Sequence, residues 1–154
     1  PLLGTNNVRR HREKKVVPFS QGQLYDVVAD VDNYKKFVPF CVNSRVLRML
    51  KVDVMEAELE VGFKLFTEKY ISRVKLDKPR KVSVHALQSR LFKSLDSTWC
   101  FLPGQRPDTT IIDFTVVFEV KSPIAARAMD AFFEEVAQQQ VKAFERRCHY
   151  LYGP

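Results

Sequence analysis

A chain of 154 residues, 45% hydrophobic and 28% charged, has room for one domain with a substantial core. Its formal charge of +7 points to anionic partners. Cys41, Cys100 and Cys148 are odd in number and far apart, with no CxxC pair or Cys/His cluster, which argues against zinc and a disulfide framework and for reduced thiols. No apolar run approaches the roughly 20 residues of a membrane span. The first residue is Pro1 rather than methionine, so a targeting segment ahead of it is an expectation.

In chain order, residues 1–11 read as a basic N-terminal arm, loose over Pro1–Val8, and 12–154 as a single domain. Arg12–Phe19 reads as the first strand. Ser20 suits an N-cap, and Leu24, Tyr25, Val27, Val28 and Val31 give a short helix. Asn33–Cys41 is aromatic and broken by Pro39, a helical turn or lid-like connection. Val42–Leu50 is a strand. Val52–Phe63 alternates, with Met55, Ala57, Leu59, Val61 and Phe63 on one face and Glu56, Glu58 and Glu60 on the other. Phe66–Leu76 alternates too, but puts Glu68 and Ser72 among Phe66, Tyr70, Val74 and Leu76. Lys81–Gln88 and Phe92–Leu102 are strands, the latter with Leu95, Trp99 and Phe101 on a shared face. Thr110–Val120 turns Ile112, Phe114, Val116, Phe118 and Val120 inward.

The final segment is the only long helical pattern. Ser122 caps it, Pro123 suits its first turn and Gly153 stands just past its end. Arg127, Asp130, Glu134, Gln138, Lys142 and Glu145 mark one wet stripe; the remaining face, from Ile124 and Ala128 through Phe132, Phe133 and Val136 to Phe144, is apolar and wide. Hairpin-length connections imply antiparallel pairing. The expected fold class is therefore α+β, a curved antiparallel sheet of about six or seven strands wrapped around a long C-terminal helix. Such a grip leaves an apolar hollow suited to a lipid.

No Gly-rich phosphate loop, GxSxG, HExxH or kinase signature occurs, and His11, His85 and His149 are scattered. Nothing places a nucleophile beside a base. Glu68 is either a bulge or strand-end residue reaching solvent or a polar contact at a cavity mouth. Trp99 is either core or ligand contact. Phe37, Val38, Pro39 and Phe40 either plug the end of the grip or gate it. Arg9, Arg10, Arg12, Lys14 and Lys15 form the densest basic cluster, read as a solvated edge, an anionic membrane contact or an RNA contact.

The pieces YKKFVPFC at Tyr34–Cys41, ELEVGF at Glu58–Phe63, Leu91-Phe92, Trp99, FFEEV from Phe132 and AFERRCHYLYGP at Ala143–Pro154 resemble the mitochondrial coenzyme Q-binding START-domain proteins. These are relatives of the bacterial RatA-type, polyketide-cyclase-like proteins. The resemblance covers about residues 12–154. It implies a helix-grip (START/Bet v 1-like) fold whose hydrophobic tunnel binds ubiquinone as a lipid ligand, with no metal. It also implies a carrier or chaperone, not an enzyme, that supports quinone biosynthesis and respiratory electron transport. The implied place is peripheral, on the matrix side of the mitochondrial inner membrane.

On this reading the tail lies along Leu59, Val61, Phe63, Phe114, Phe132, Phe133 and Val136, and the ring sits at a mouth made by Phe37, Val38, Pro39, Phe40 and Trp99. The basic cluster meets anionic lipid. Respiratory-chain or quinone-biosynthesis complexes are further partners to expect. The competing expectations are a ribosome-associated RatA-like protein, a fixed accessory subunit of a mitochondrial complex and, last, a cyclase-like enzyme.

Overall fold

The chain's strands join into one seven-stranded sheet, all neighbours antiparallel, in the order β1-β7-β6-β5-β4-β3-β2. They are β1 Val8–Val17, β2 Cys41–Lys51, β3 Val54–Phe63, β4 Phe66–Asp77, β5 Lys81–Gln88, β6 Phe92–Pro103 and β7 Thr110–Val120. The computed structural model describes residues 7–64 and 66–154. A helix α1 (Gln21–Ala29) and a 3₁₀ turn (Val31–Lys36) link β1 to β2, and α2 (Pro123–Tyr152) closes the chain. Six strands thus form a meander, and β1 returns to pair with β7.

Both helices start where the sequence places them. The Ser20 hydroxyl accepts from Gln23 N while the Gln23 side chain accepts from Ser20 N, a reciprocal cap. The Ser122 hydroxyl accepts from Ala125 N at 3.1 Å, and Gly153, at φ 90°, ends α2 with its N–H on His149 O. Two expectations shift. The first strand opens at Val8 rather than Arg12, because β7 keeps its alternation to Val120 and pairs β1 along its whole length. Arg9, Arg10 and His11 therefore belong to an edge strand, and residues 1–6 of the expected arm lie outside the described residues. The apolar face of α2 is also narrower than expected. Ile124 is 82% exposed and Ala128 is exposed, since Ala126, Met129 and Phe132 are the residues turned to the sheet.

The segment between α1 and β2 is tied to the sheet edge. Val46 N donates to the Asp32 carboxylate at 2.7 Å, Lys35 N donates to the Ser44 hydroxyl at 3.1 Å, and that hydroxyl donates to Asp32 O. These bonds occupy backbone groups that an edge strand otherwise leaves open. They also run the 3₁₀ turn alongside β2, so that Phe37–Phe40 arrives at the end of the sheet where β3 meets β4. Phe40 holds φ 66°, a left-handed conformation that costs a bulky residue energy and is held here by its ring packing on Phe63 and Phe132.

The core divides in two along α2. One cluster joins α1 and the 3₁₀ turn to Trp99, Phe101, Phe114 and Phe144; the other joins Phe92, Phe118 and Val120 to Ala126, Met129 and Phe132. Between them the inward rows of β6 and β7 carry Ser97–Val116 and Leu95–Phe118, above a floor row of Trp99–Phe114.

Glu68 is 5% exposed and belongs to neither alternative the sequence left open. Its carboxylate accepts from Ser89 Oγ (2.5 Å), Arg90 N (2.9 Å) and Leu91 N (3.2 Å), holding the β5–β6 connection in shape. Replacing Glu68 by Ala leaves the Arg90 N–H and the Ser89 hydroxyl without their acceptor, and is expected to cost about 2 kcal/mol. Urea unfolding of Glu68→Ala beside Glu68→Gln, which keeps one acceptor oxygen, checks this; equal stability of wild type and Glu68→Ala would overturn it.

Candidate functional site: an apolar chamber under the long helix

The gap between the two clusters is a chamber of about 110 Å³. It is walled by β3 to β7 on one side and by α2 on the other, and Val38-Pro39 and the Val136–Gln140 turn of α2 complete its lining. The walls exist because strand alternation aims every second side chain of a curved sheet inward, while Phe144 at one end and Phe132 at the other hold the helix off the middle. Among the described residues, no Asp, Glu, His, Lys or Arg lines it. Its polar groups are hydroxyls, an amide and a thiol: Tyr34, Tyr70, Ser72, Ser97, Gln140 and Cys41. Among the described residues, no group of three or more His, Cys, Asp or Glu is placed to hold a metal.

The residues expected to form a ligand site divide by position. Val38, Pro39, Leu59, Val61, Trp99, Phe132, Phe133 and Val136 all line the chamber. Phe37 does not; it packs edge-on against Tyr34 and Phe144. Phe40 and Phe63 join Phe66 and Phe132 in an aromatic cluster across the β3–β4 end, with ring centroids 5.2–6.1 Å apart. Trp99 is at the floor, 2% exposed, rather than at the mouth, and Phe114 is beneath it with centroids 4.3 Å apart. The Phe37–Phe40 segment thus seals with its two rings and lines the chamber with the residues between them.

The lining hydroxyls and Gln140 were missed as site residues, although the signal was present. Ser72 and Ser97 share the inward parity of Tyr70, Val74, Leu95 and Trp99, and Gln140 stands four residues from both Val136 and Phe144.

Burial sets the acid–base character of the site. It pushes the Tyr34 and Tyr70 phenols well above the usual tyrosine range, so both stay protonated donors. The Tyr34 hydroxyl donates to Val28 O. Burial likewise lifts the Cys41 thiol to about 11, a backbone hydrogen bond at Asn43 pulling the other way, and Cys148 to about 12.

The basic cluster of β1 is split by strand alternation. Arg9 and Lys15 reach α2, pairing with Asp130 at 2.5 Å and Glu145 at 2.6 Å. Arg12 is on the opposite face, pairing with Asp113 at 2.7 Å; that hydrogen bond holds the Asp113 carboxyl below the usual range. Arg10 and Lys14 are exposed beside Arg12. Three of the five cations therefore clamp β1 to its neighbours.

A long helix gripped by a seven-stranded antiparallel sheet over an uncharged chamber defines a helix-grip protein. The family described as polyketide cyclase / dehydrase and lipid transport matches residues 17–145. The chain belongs to that family, in the branch of the coenzyme Q-binding proteins COQ10. It is 44% identical to the mitochondrial coenzyme Q-binding protein COQ10 homolog B of Xenopus laevis, over 99% of this chain and 63% of that one. It is 37% identical to the mitochondrial coenzyme Q-binding protein COQ10 of Dictyostelium discoideum, over 90% and 68%. The chain thus spans about two thirds of the length of these relatives. Among solved structures, the 18 kDa protein CC1736 of Caulobacter crescentus superposes with a TM-score of 0.74 at 34% identity, over 95% of this chain and 99% of that one.

The thiols offer a test of how dry the chamber is. With a pKa of about 11, roughly one Cys41 in a thousand is thiolate at pH 8. Alkylation of Cys41 by iodoacetamide, followed by peptide mass spectrometry, is expected to be slow at pH 8 and to rise about tenfold per pH unit up to pH 10. Rapid, pH-independent labelling at pH 8 would mean that water already fills this wall.

Proposed function

We propose that this chain binds coenzyme Q in the chamber and carries it, or presents it to other proteins, without transforming it, in support of quinone biosynthesis and respiratory electron transport. The observation that carries the reading is the chamber's lining. It is apolar with a few neutral hydrogen-bonding groups, which suits an uncharged, ring-bearing lipid and disfavours a fatty acid or a phospholipid headgroup, whose charge would be desolvated without a partner. The names of the COQ10 relatives point the same way.

The expected place of action is the matrix face of the mitochondrial inner membrane, with respiratory-chain or quinone-biosynthesis complexes as recipients. Among the described residues no helix is long and apolar enough to cross a membrane. An anionic lipid surface is best met by the rim above the aromatic cluster rather than by β1. Lys64, Arg90, Lys121 and Arg127 are exposed there, and Ile124 is almost fully exposed beside them. Lys121 N bonds to Leu91 O, which brings the β5–β6 connection and the start of α2 together. The neighbouring carboxylates of Glu119 and Asp130 are engaged by Lys93 and Arg9.

Phe132→Asp puts a charge in the chamber wall and is expected to abolish copurifying quinone, measured by solvent extraction and mass spectrometry, while circular dichroism reports a folded protein. A folded variant carrying wild-type amounts of quinone would remove the chamber from the binding path.

Replacing Lys64, Arg90, Lys121 and Arg127 by Gln is expected to weaken sedimentation with cardiolipin-containing liposomes at about 150 mM salt, each cation contributing about 1 kcal/mol. Neutralising Arg10 and Lys14 is expected to have little effect. Displacement from the liposomes by added ribosomes would favour the ribosome-associated reading instead.

A further inference from the structure

Ser72 is fully buried, faces the chamber, and its hydroxyl has no hydrogen-bond partner among the described residues. A buried hydroxyl without a partner is costly to a fold and rare. The same chamber holds Tyr70, Ser97 and Gln140, whose side chains also make no hydrogen bond among the described residues. Four neutral polar groups from β4, β6 and α2 thus point into one apolar space, all of them able to donate. Ser97 is one inward row above Trp99, and Ser72 is one row further along, opposite Ala86.

We infer that these groups form a headgroup site in which a ligand bearing ring carbonyl oxygens enters ring first, with Ser72 donating to a carbonyl oxygen, the ring lying between Ser72 and the Trp99 floor and the isoprenoid tail leaving past Val38-Pro39 and Val136. This rests on the coenzyme Q reading above and reverses the orientation expected from the sequence, which set the ring at the mouth. Chemistry favours it. A quinone ring offers acceptors and no donors, the complement of what the wall presents. A tail-first ligand would lay hydrocarbon against Ser72 and leave it as unsatisfied as it is in the empty chamber. A space of about 110 Å³ is below the ~150 Å³ of an engineered cavity that holds benzene. A substituted ring, larger than benzene, therefore enters only as the chamber widens, and a long tail stays outside it. The high pKa of the Tyr70 phenol keeps that donor protonated at any physiological pH.

Trp99 is the only tryptophan, so its fluorescence reads the ring's position directly. The probe is decylubiquinone, a ubiquinone ring on a short saturated tail, titrated into the whole chain with binding measured in parallel by equilibrium dialysis. The expected result is saturable quenching of Trp99 that follows the dialysis isotherm. Ser72→Ala is expected to bind about tenfold more weakly with an unchanged or raised melting temperature, because it removes an unpartnered hydroxyl from the empty protein. Tyr70→Phe, which keeps the ring, is expected to weaken binding in the same direction. If wild type binds by dialysis but Trp99 is not quenched, or if Ser72→Ala binds as tightly as wild type, the ring-first orientation is wrong and the quinone reading stands. If wild type binds no decylubiquinone at all, the quinone reading falls, and this inference with it.

Discussion

The ring of Phe144 is the fixed point of this fold. It is fully buried and meets Trp99 at 4.6 Å, Phe37 at 5.0 Å and Tyr34 at 5.3 Å, so one helical side chain joins the sheet floor, the 3₁₀ turn and the connection into β2. Because the helix is anchored there and again at Phe132, three turns of α2 bridge the concave sheet without being drawn onto it. The chamber is what remains between two well-packed ends. A side chain of Phe144's size at the position of Gln140 would fill it.

Much of this architecture could be read from the amino-acid order, and the reasons are local. β5 and β7 begin and end where their alternation and flanking Pro, Gly and Asp residues say they should, and Ser20 and Ser122 mark helix starts through hydrogen bonds made within three residues. Inward parity was legible as well, including the anomalies at Glu68 and Ser72. What alternation cannot tell is whether an inward residue faces a void or another side chain. Phe114 and Val116 have the same parity on one strand, yet Val116 lines the chamber and Phe114 is buried beneath Trp99, because that choice depends on where α2 crosses. The residues expected from the sequence to form a ligand site split along this line.

The charges make the same point at longer range. Five cations within seven residues look like a surface patch in sequence, but their partners are about 100 residues or more away, on β7 and α2. Alternation sends Arg9 and Lys15 one way and Arg12 the other, where each meets a carboxylate that no local pattern announces. The cations left exposed near the aromatic end of the chamber come from three separate connections and from the start of α2, so no stretch of sequence looks basic there.

The hydrogen bonds that tie the 3₁₀ turn to β2 carry a dynamic consequence. Val38 and Pro39 line one side of the chamber, the jamb of any opening there, and they are covalently continuous with Asp32 and Lys35, whose partners are Val46 N and Ser44 on the edge strand. Any widening of the opening on this side that lifts the turn exposes the Val46 amide to solvent. Amide hydrogen exchange at Val46 would then keep time with ligand entry, and the edge strand would act as a spring that returns the jamb once the ligand has passed.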